Sequence, residues 1–527
     1  MLGKIRREEI IKDIIEKQQL IVKYGFDPID ISEGIDWSYQ HPHNTRTYSV
    51  YLHALEYVGY LALAGEEYND ENYYEIANDF IISWNQQDSE ESIEHSWNEH
   101  AVSYRLSNLI LFQDTVSDEY KLENQFFDEL LIKHCAFLAD DNNYKPNNHG
   151  ILMDESLFKA SFYMTDKIYQ KLYKSIALNR VKLALYRDFS RKGLHSENSP
   201  EYHRMMMIVL NRFNELIKAK DETLTNDVNH KLKKAKNLLR IMLKPDSTYP
   251  MVGDTSYIEE KNLKKDFSDY VDYEGGLVIF QNENTENILL SDYLYFKCGY
   301  LSKTHKHFDD LSFNLMLDGN DIFIDAGKYG YNKNDPIRQY ILSPEAHTAP
   351  LIEGKEYKPT SPIVDQYNLG ISNVTVTPKH KIVKGYNSLY KDVVINRTAV
   401  LSKEGHFFLH DEVRSDNIER LLQNFNINEN ANINIIDNYS AEIEINTEKY
   451  IIRSFLNENI ELETLPGYYS KVFSKYNENV HLRYKNQPGV KKSLITVYNI
   501  NNPIEMVEVT PNIISYKHRD EIIKLKL

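Results

Sequence analysis

The first half of the chain places its apolar residues at helical spacing. Ile10, Ile11, Ile14 and Ile15 repeat at the three-and-four interval of one helix face. Comparable patterns recur over 47–64, 98–113, 121–139, 149–163, 167–190, 200–219 and 227–243. Polar segments separate them, among them DNNYKPNNHG at 141–150 and HSENSP at 195–200. Ser199 followed by Pro200 has the form of an N-cap and a first helical residue. A run of antiparallel helix pairs of this kind predicts an (α/α) array or toroid.

The pattern changes at YPMVGDTSY, 249–257. Beyond it come alternating runs rich in β-branched and aromatic residues: GLVIF (276–280), YLYFKCG (293–299), LSFNLML (311–317), DIFIDAG (321–327), NVTVTP (373–378), VVINRTAVL (393–401), HFFLHDEV (406–413), AEIEIN (441–446), YIIRSFL (450–456) and SLITVYNI (493–500). These predict stacked antiparallel sheets. The expected architecture is multidomain α+β. An N-terminal (α/α) toroid, an incomplete barrel, covers 1–258, and a C-terminal antiparallel β-sandwich covers 259–527.

Composition narrows the function classes. The 527 residues hold 61 Lys+Arg against 78 Asp+Glu, a net charge of −17. That balance argues against a general nucleic-acid binder, which carries a basic stripe. It leaves open a locally basic groove for an acidic sugar polymer. Apolar residues at 42% exclude wholesale disorder. Cys135 and Cys298 allow one bridge at most and no disulfide framework. The N-terminal MLGKIRREEIIKDIIEKQQL reads as a charged amphipathic helix without a signal-peptide core. No stretch approaches the ~20 apolar residues of a membrane span. The expectation is a cytoplasmic protein, or a periplasmic or secreted one whose leader was removed. The 39 tyrosines suit sugar-facing surfaces, and equally cores and sheets.

Histidines, amides and carboxylates concentrate in a few short segments. In THKHF, His305 and His307 are two apart, so on an extended segment they face one side. A hairpin turning at DGND (318–321) would return Asp325 beside His307, and His347 follows in PEAHT. Two imidazoles and a carboxylate suit zinc; hydrogen-bonding histidines and a turn aspartate are the alternative. In NNHG, Asn147 or Asn148 either caps a helix or belongs to a polar cluster that donates to a carboxylate. Taken singly, Tyr202 and His203 read as packing residues and Asp254 as a turn residue.

The order NNH, SPxYH, PxxGD, HxHxD, DxG and AHT resembles the heparinase II/III-like polysaccharide lyases, from about Trp37 into the 400s. The resemblance implies the toroid-plus-sandwich fold that the patterning predicts independently. It also implies roles. Asn148, with His149, would neutralise a uronate carboxylate. Tyr202 would be the catalytic acid/base, and His305 a second proton-transfer group. His307, Asp325 and His347 would hold zinc or another divalent metal in a structural role. Asn147, Arg105, His203 and Arg338 are expected to contact substrate. AHT stands where many relatives have AHN, which bears on substrate contacts more than on the metal.

These roles match one reaction. A uronic-acid polymer can be cut without water: a base takes the C5 proton, and the bond from C4 to the bridging oxygen breaks. Charge builds on the carboxylate meanwhile, so preorganised donors are needed there. The expected partner is an acidic polysaccharide, such as heparin, heparan sulfate or a related polyuronate. Two rivals remain. A glycoside hydrolase needs a carboxylate pair, for which Glu99, Asp154 and Glu155 are available. The other is a non-catalytic glycan-binding or capsule-assembly protein.

Overall fold

The helices form where apolar spacing supplies a face to bury. The computed structural model describes residues 2–23, 26–42, 44–90, 95–457, 459–510 and 513–526. Its N-terminal helices are α1 (Leu2–Lys17), α2 (Thr45–Leu52), α3 (Glu56–Tyr68), α4 (Asn72–Glu90), α5 (Glu99–Thr115), α6 (Asn124–Ala139), α7 (Asn148–Ser161), α8 (Lys167–Asp188), α9 (Pro200–Ala219) and α10 (Asn226–Met242). Ile11 and Ile14 bury the predicted face of α1. The single pattern at 47–64 becomes two helices, because Leu55 takes a left-handed φ of 53° between them. The sequence reading missed α4. Its buried face is Tyr74, Ala77, Ile81 and Trp84, at helical intervals but diluted by Asn, Asp and Gln.

The strand half is antiparallel throughout its named sheets. Tyr270–Asp272, Leu277–Asn282, Asp292–Lys297, Ser312–Leu317 and Asn320–Phe323 form a five-stranded meander in chain order. Its last hairpin turns on Asp318 and Gly319, with φ of 49° and 78°, as a two-residue turn of this hand requires. An eight-stranded and a four-stranded sheet share one core with the meander, in which Phe296, Phe313, Phe323, Phe407, Phe425 and Tyr484 are buried. The strand order of each sheet is open, so none closes into a barrel among the described residues. Glu461–Val472 was not expected as a strand, since it contains Pro466 and Gly467. It lies at the edge of the four-stranded sheet, where a missing N–H is tolerated.

By internal packing the chain divides into two units. One is Met1–Tyr186 with Val209–Thr225; the other is Arg187–Ile208 with Asn226–Leu527. Secondary structure switches from helix to strand between Met242 and Tyr270, yet the second unit also includes α10 and the first turns of α9. Cys135 and Cys298 are both buried and both free, so the one bridge the sequence allowed is not formed. No helix among the described residues is long and apolar enough to cross a membrane.

Both units hold buried histidines that stay neutral. Burial pushes His53 and His195 down to about 3, and His203 and His406 down to about 4. The unfolded chain protonates these groups below about 6.5 and the folded chain does not. Their contribution to stability is therefore complete above 6.5 and is drawn away as pH falls towards 4. The unfolding midpoint should drop by roughly 10 °C between pH 7.5 and pH 5, read by thermal denaturation. An unchanged midpoint would contradict neutral burial.

Candidate active site

The SPEYHR segment starts α9 as its sequence dictates. Ser199 precedes Pro200 at the helix start, and its hydroxyl accepts from the Tyr202 backbone N–H at 3.4 Å. The same hydroxyl donates to the Asp254 carbonyl at 2.9 Å and meets Thr255 Oγ1 at 2.7 Å. These contacts tie the first turn of α9 to the VGD turn. Gly253 in that turn has φ of +58°, and a Cβ there would lie 2.4 Å from the Asn198 carbonyl oxygen. Only glycine fits so close an approach.

Tyr202 is thereby presented to the THKHF segment. Its ring stacks on His305 with centroids 3.7 Å apart and planes 18° from parallel. Its hydroxyl meets that of Tyr331 at 2.6 Å. Lys328 Nζ stands 5.0 Å from the Tyr202 ring centroid and pairs with Glu201 at 3.1 Å. Burial, and then the Tyr202 hydroxyl, push the Tyr331 phenol well above its ordinary value. Tyr331 is thus a neutral phenol beside Tyr202. His305 has a left-handed φ of 57°, an uncommon conformation of the kind that collects at functional sites.

Asp254 organises the cluster from behind. It is fully buried and accepts from His305 Nδ1 at 2.8 Å and His307 Nε2 at 2.9 Å. The Arg338 fork donates to both its oxygens, at 2.5 and 3.0 Å. Burial alone would raise the Asp254 carboxyl, but the bonds from His305, His307 and Arg338 outweigh it and hold the group well below the usual carboxylate range. An ionised carboxylate only accepts, so His305 carries a proton on Nδ1. That leaves Nε2 as the working nitrogen, 3.5 Å from Glu197 Oε2. A carboxylate that fixes an imidazole tautomer and favours the imidazolium is a general device for proton transfer.

The three residues implied as metal ligands lie close together. His307 and His347 have ring centroids 5.4 Å apart, and His347 Nδ1 meets Asp325 Oδ1 at 2.5 Å. The hairpin return therefore sets Asp325 on His347. His307 Nδ1 and His347 Nε2 are buried without a hydrogen-bond partner. Burial pulls His307 down; it also works against the charged form of His347, but the Asp325 carboxylate outweighs it and leaves His347 raised. Two imidazoles, each donating one N–H to a carboxylate and holding the other nitrogen free, have the chemistry of metal ligands. No group of three His, Cys, Asp or Glu stands ready-made to hold an ion among the described residues. His307 and His347 could supply two nitrogen donors to a metal, whereas Asp325, expected as a third ligand, is bonded to His347 instead.

In the first unit, Asn147 caps α7 by accepting from the His149 backbone N–H at 2.9 Å, the capping alternative read in NNHG. Asn148 opens the helix, half-buried. His149 Nδ1 meets Glu99 Oε1 at 3.0 Å, and its ring packs edge-on against His100 at 5.1 Å.

Three expected substrate contacts are corrected. Arg105 is fully buried, donates to His134 Nε2 and to the carbonyls of His53 and Ser96, and lies 4.0 Å from the Trp84 ring centroid. His203 is buried, with Nε2 on the Ala235 carbonyl and Nδ1 accepting from the His195 backbone. Arg338 spends its fork on Asp254. All three hold the fold or position other groups. Sequence reading gave Asp254 no role of its own, because a turn aspartate looks alike whatever it binds. It missed Tyr331 and Lys328 entirely, since neither sits in a motif. The carboxylates weighed for hydrolysis are engaged elsewhere: Glu99 with His149, Asp154 with the Tyr144 hydroxyl, and Glu155 with Arg212.

Comparison with known proteins identifies the family. Residues 5–275 match the heparinase II/III N-terminus model, and 273–494 match the heparinase II/III-like C-terminal model. No curated protein matches the sequence. Among solved structures, a heparinase III gene product is similar at a TM-score of 0.83 and 15% identity, over 99% of this chain and 90% of that one. The heparan sulfate lyase HepC from Pedobacter heparinus is similar at 0.81 and 14%, over 99% and 89%. A further heparinase III reaches 0.79 and 15%, over 99% and 91%. These likenesses show the fold, an N-terminal helical toroid followed by antiparallel sheets. With both family models together spanning nearly the whole chain, and with Tyr202 and His305 stacked where the motifs put them, the protein belongs to the heparinase II/III family of polysaccharide lyases.

Proposed function

We propose that the protein cleaves a uronic-acid-containing polysaccharide, of the heparan sulfate or polyuronate class, by β-elimination. The observation that carries this reading is the stacked Tyr202–His305 pair, with ionised Asp254 behind the imidazole and neutral Tyr331 on the phenol. His305 Nε2 takes the C5 proton, with Nδ1 held on the Asp254 carboxylate. Tyr202 gives its proton to the departing C4 oxygen, with Tyr331 donating to the phenolate oxygen left behind. For the other C5 epimer, the proton lies on the opposite ring face. There Tyr202 serves as base and acid in turn, with the Tyr331 hydroxyl hydrogen-bonded to its own. A panel of glucuronate and iduronate polymers, scored for the near-ultraviolet absorbance of unsaturated product, tests the reading. Absence of that product from every polymer would contradict it.

Asn148 and His149 take the carboxylate-neutralising role that the resemblance implies. The Asn148 amide, which makes no side-chain hydrogen bond among the described residues, adds N–H donors without adding a competing base. Asn148→Ala should lower turnover by about 10²–10³ with little change in melting temperature, measured by steady-state kinetics and thermal denaturation.

A divalent metal, zinc by donor type, would be held by His307 Nδ1 and His347 Nε2, with Asp325 orienting His347. Its contribution when bound is to brace the strand ends around His305. Dialysis against a chelator should lower the melting temperature and activity together, and added zinc should restore both. A chelated protein that keeps both would contradict the metal.

A further inference from the structure

The face of α7 that begins at Asn148 continues along the helix. Asn148, Leu152, Glu155 and Lys159 follow at i, i+4, i+7 and i+11, a single stripe. Helix α5 lies alongside: Ser156 Oγ donates to the Ser103 carbonyl at 2.8 Å and meets Ser107 Oγ at 3.0 Å. The small serines let the two helices approach. An open pocket lies over this seam, lined by Tyr104, Leu152, Glu155, Lys159 and Arg212. It is two ring contacts from His149, since Tyr104 stacks on His100 at 4.7 Å and His100 packs on His149 at 5.1 Å.

The charges in this pocket are unbalanced. Arg212 pairs through two nitrogens with Glu155, at 2.6 and 2.5 Å, and neutralises it. Lys159 is half-buried and makes no hydrogen bond or ion pair among the described residues. Asp114 and Glu155 act on it at longer range in one sense and Lys220 in the other. Burial lowers the Lys159 ammonium, as expected for a cation partly removed from water without a partner. Among Lys159, Arg212 and Lys220 against Glu155 and Asp114, the local balance is positive in a chain whose net charge is −17.

We infer that this pocket is an anion subsite, in which Lys159, some three turns of α7 (about 16 Å) from Asn148, binds a sulfate or carboxylate group of a sugar further along the chain than the one whose carboxylate meets Asn148 and His149. Tyr104 supplies the flat face against which that sugar lies. The inference rests on the lyase reading for its substrate, but its binding test does not need turnover.

The test measures affinity and kinetics of the full chain with heparan sulfate and with the same polymer backbone lacking sulfate. Lys159→Gln should raise Kd and KM about tenfold, the loss of one charge-assisted bond, with kcat within about twofold. Lys159→Arg should restore affinity. Loss on the sulfated polymer alone identifies sulfate; equal loss on both identifies carboxylate. Unchanged Kd for Lys159→Gln on both polymers would overturn the subsite, as would equal loss in Lys159→Arg, or a wild-type chain that binds neither polymer. Binding that depends on Lys159 without unsaturated product from either polymer would overturn the lyase reading and leave the subsite standing.

Discussion

Tyr202→Phe should reduce turnover of a uronate polymer by about 10²–10⁴, the range for removal of a positioned acid–base group, while polymer affinity survives. The phenyl ring keeps the stack on His305 and loses only the hydroxyl shared with Tyr331. Tyr331 is half-exposed and gives up one partner to water, so the melting temperature should move little. The check is steady-state kinetics beside calorimetric binding. Near-normal turnover in a folded Tyr202→Phe protein would remove Tyr202 from the chemistry.

Asp254→Asn should do more damage, to activity and to stability at once. Asparagine offers one acceptor oxygen where four donors converge: His305 Nδ1, His307 Nε2 and two Arg338 nitrogens. Its amide N–H groups then face donors, and the His305 tautomer is no longer fixed. Comparable loss of a tautomer-setting carboxylate in other enzymes lowers kcat by about 10⁴. Arg338 is left as a buried cation without its counter-charge, and breaking a buried pair from one side costs about 3–5 kcal/mol. Kinetics and chemical denaturation read the two effects separately. A folded variant of wild-type stability and turnover would mean that Asp254 organises nothing.

Much of this was legible in the sequence, for reasons that differ by residue. Ser199–Pro200 announced the start of α9 because capping chemistry is local, and Tyr202 followed from that start. The DGND turn was readable because a two-residue turn with positive φ at both positions demands residues such as Asp and Gly. Arg105 was misread because helical spacing does not say which face is covered. Trp84 and Trp97, which enclose its guanidinium, come from separate segments. Asp254, Tyr331 and Lys328 acquire their roles only from partners 51 to 129 positions away in the chain, as in the Asp254–His305 and Tyr202–Tyr331 bonds. No local pattern encodes such pairings. Glu461–Val472 was hidden by Pro466, whose cost vanishes at a sheet edge.

The central claim is that bond breakage proceeds by proton abstraction and departure of the C4 oxygen, with no water added. Mass spectrometry of oligosaccharides released from heparan sulfate in water enriched in heavy oxygen tests this most directly. The account predicts that each cut leaves one fragment with an unsaturated terminal uronate and that neither new end carries the label. Labelled, saturated ends would mean hydrolysis and would contradict it.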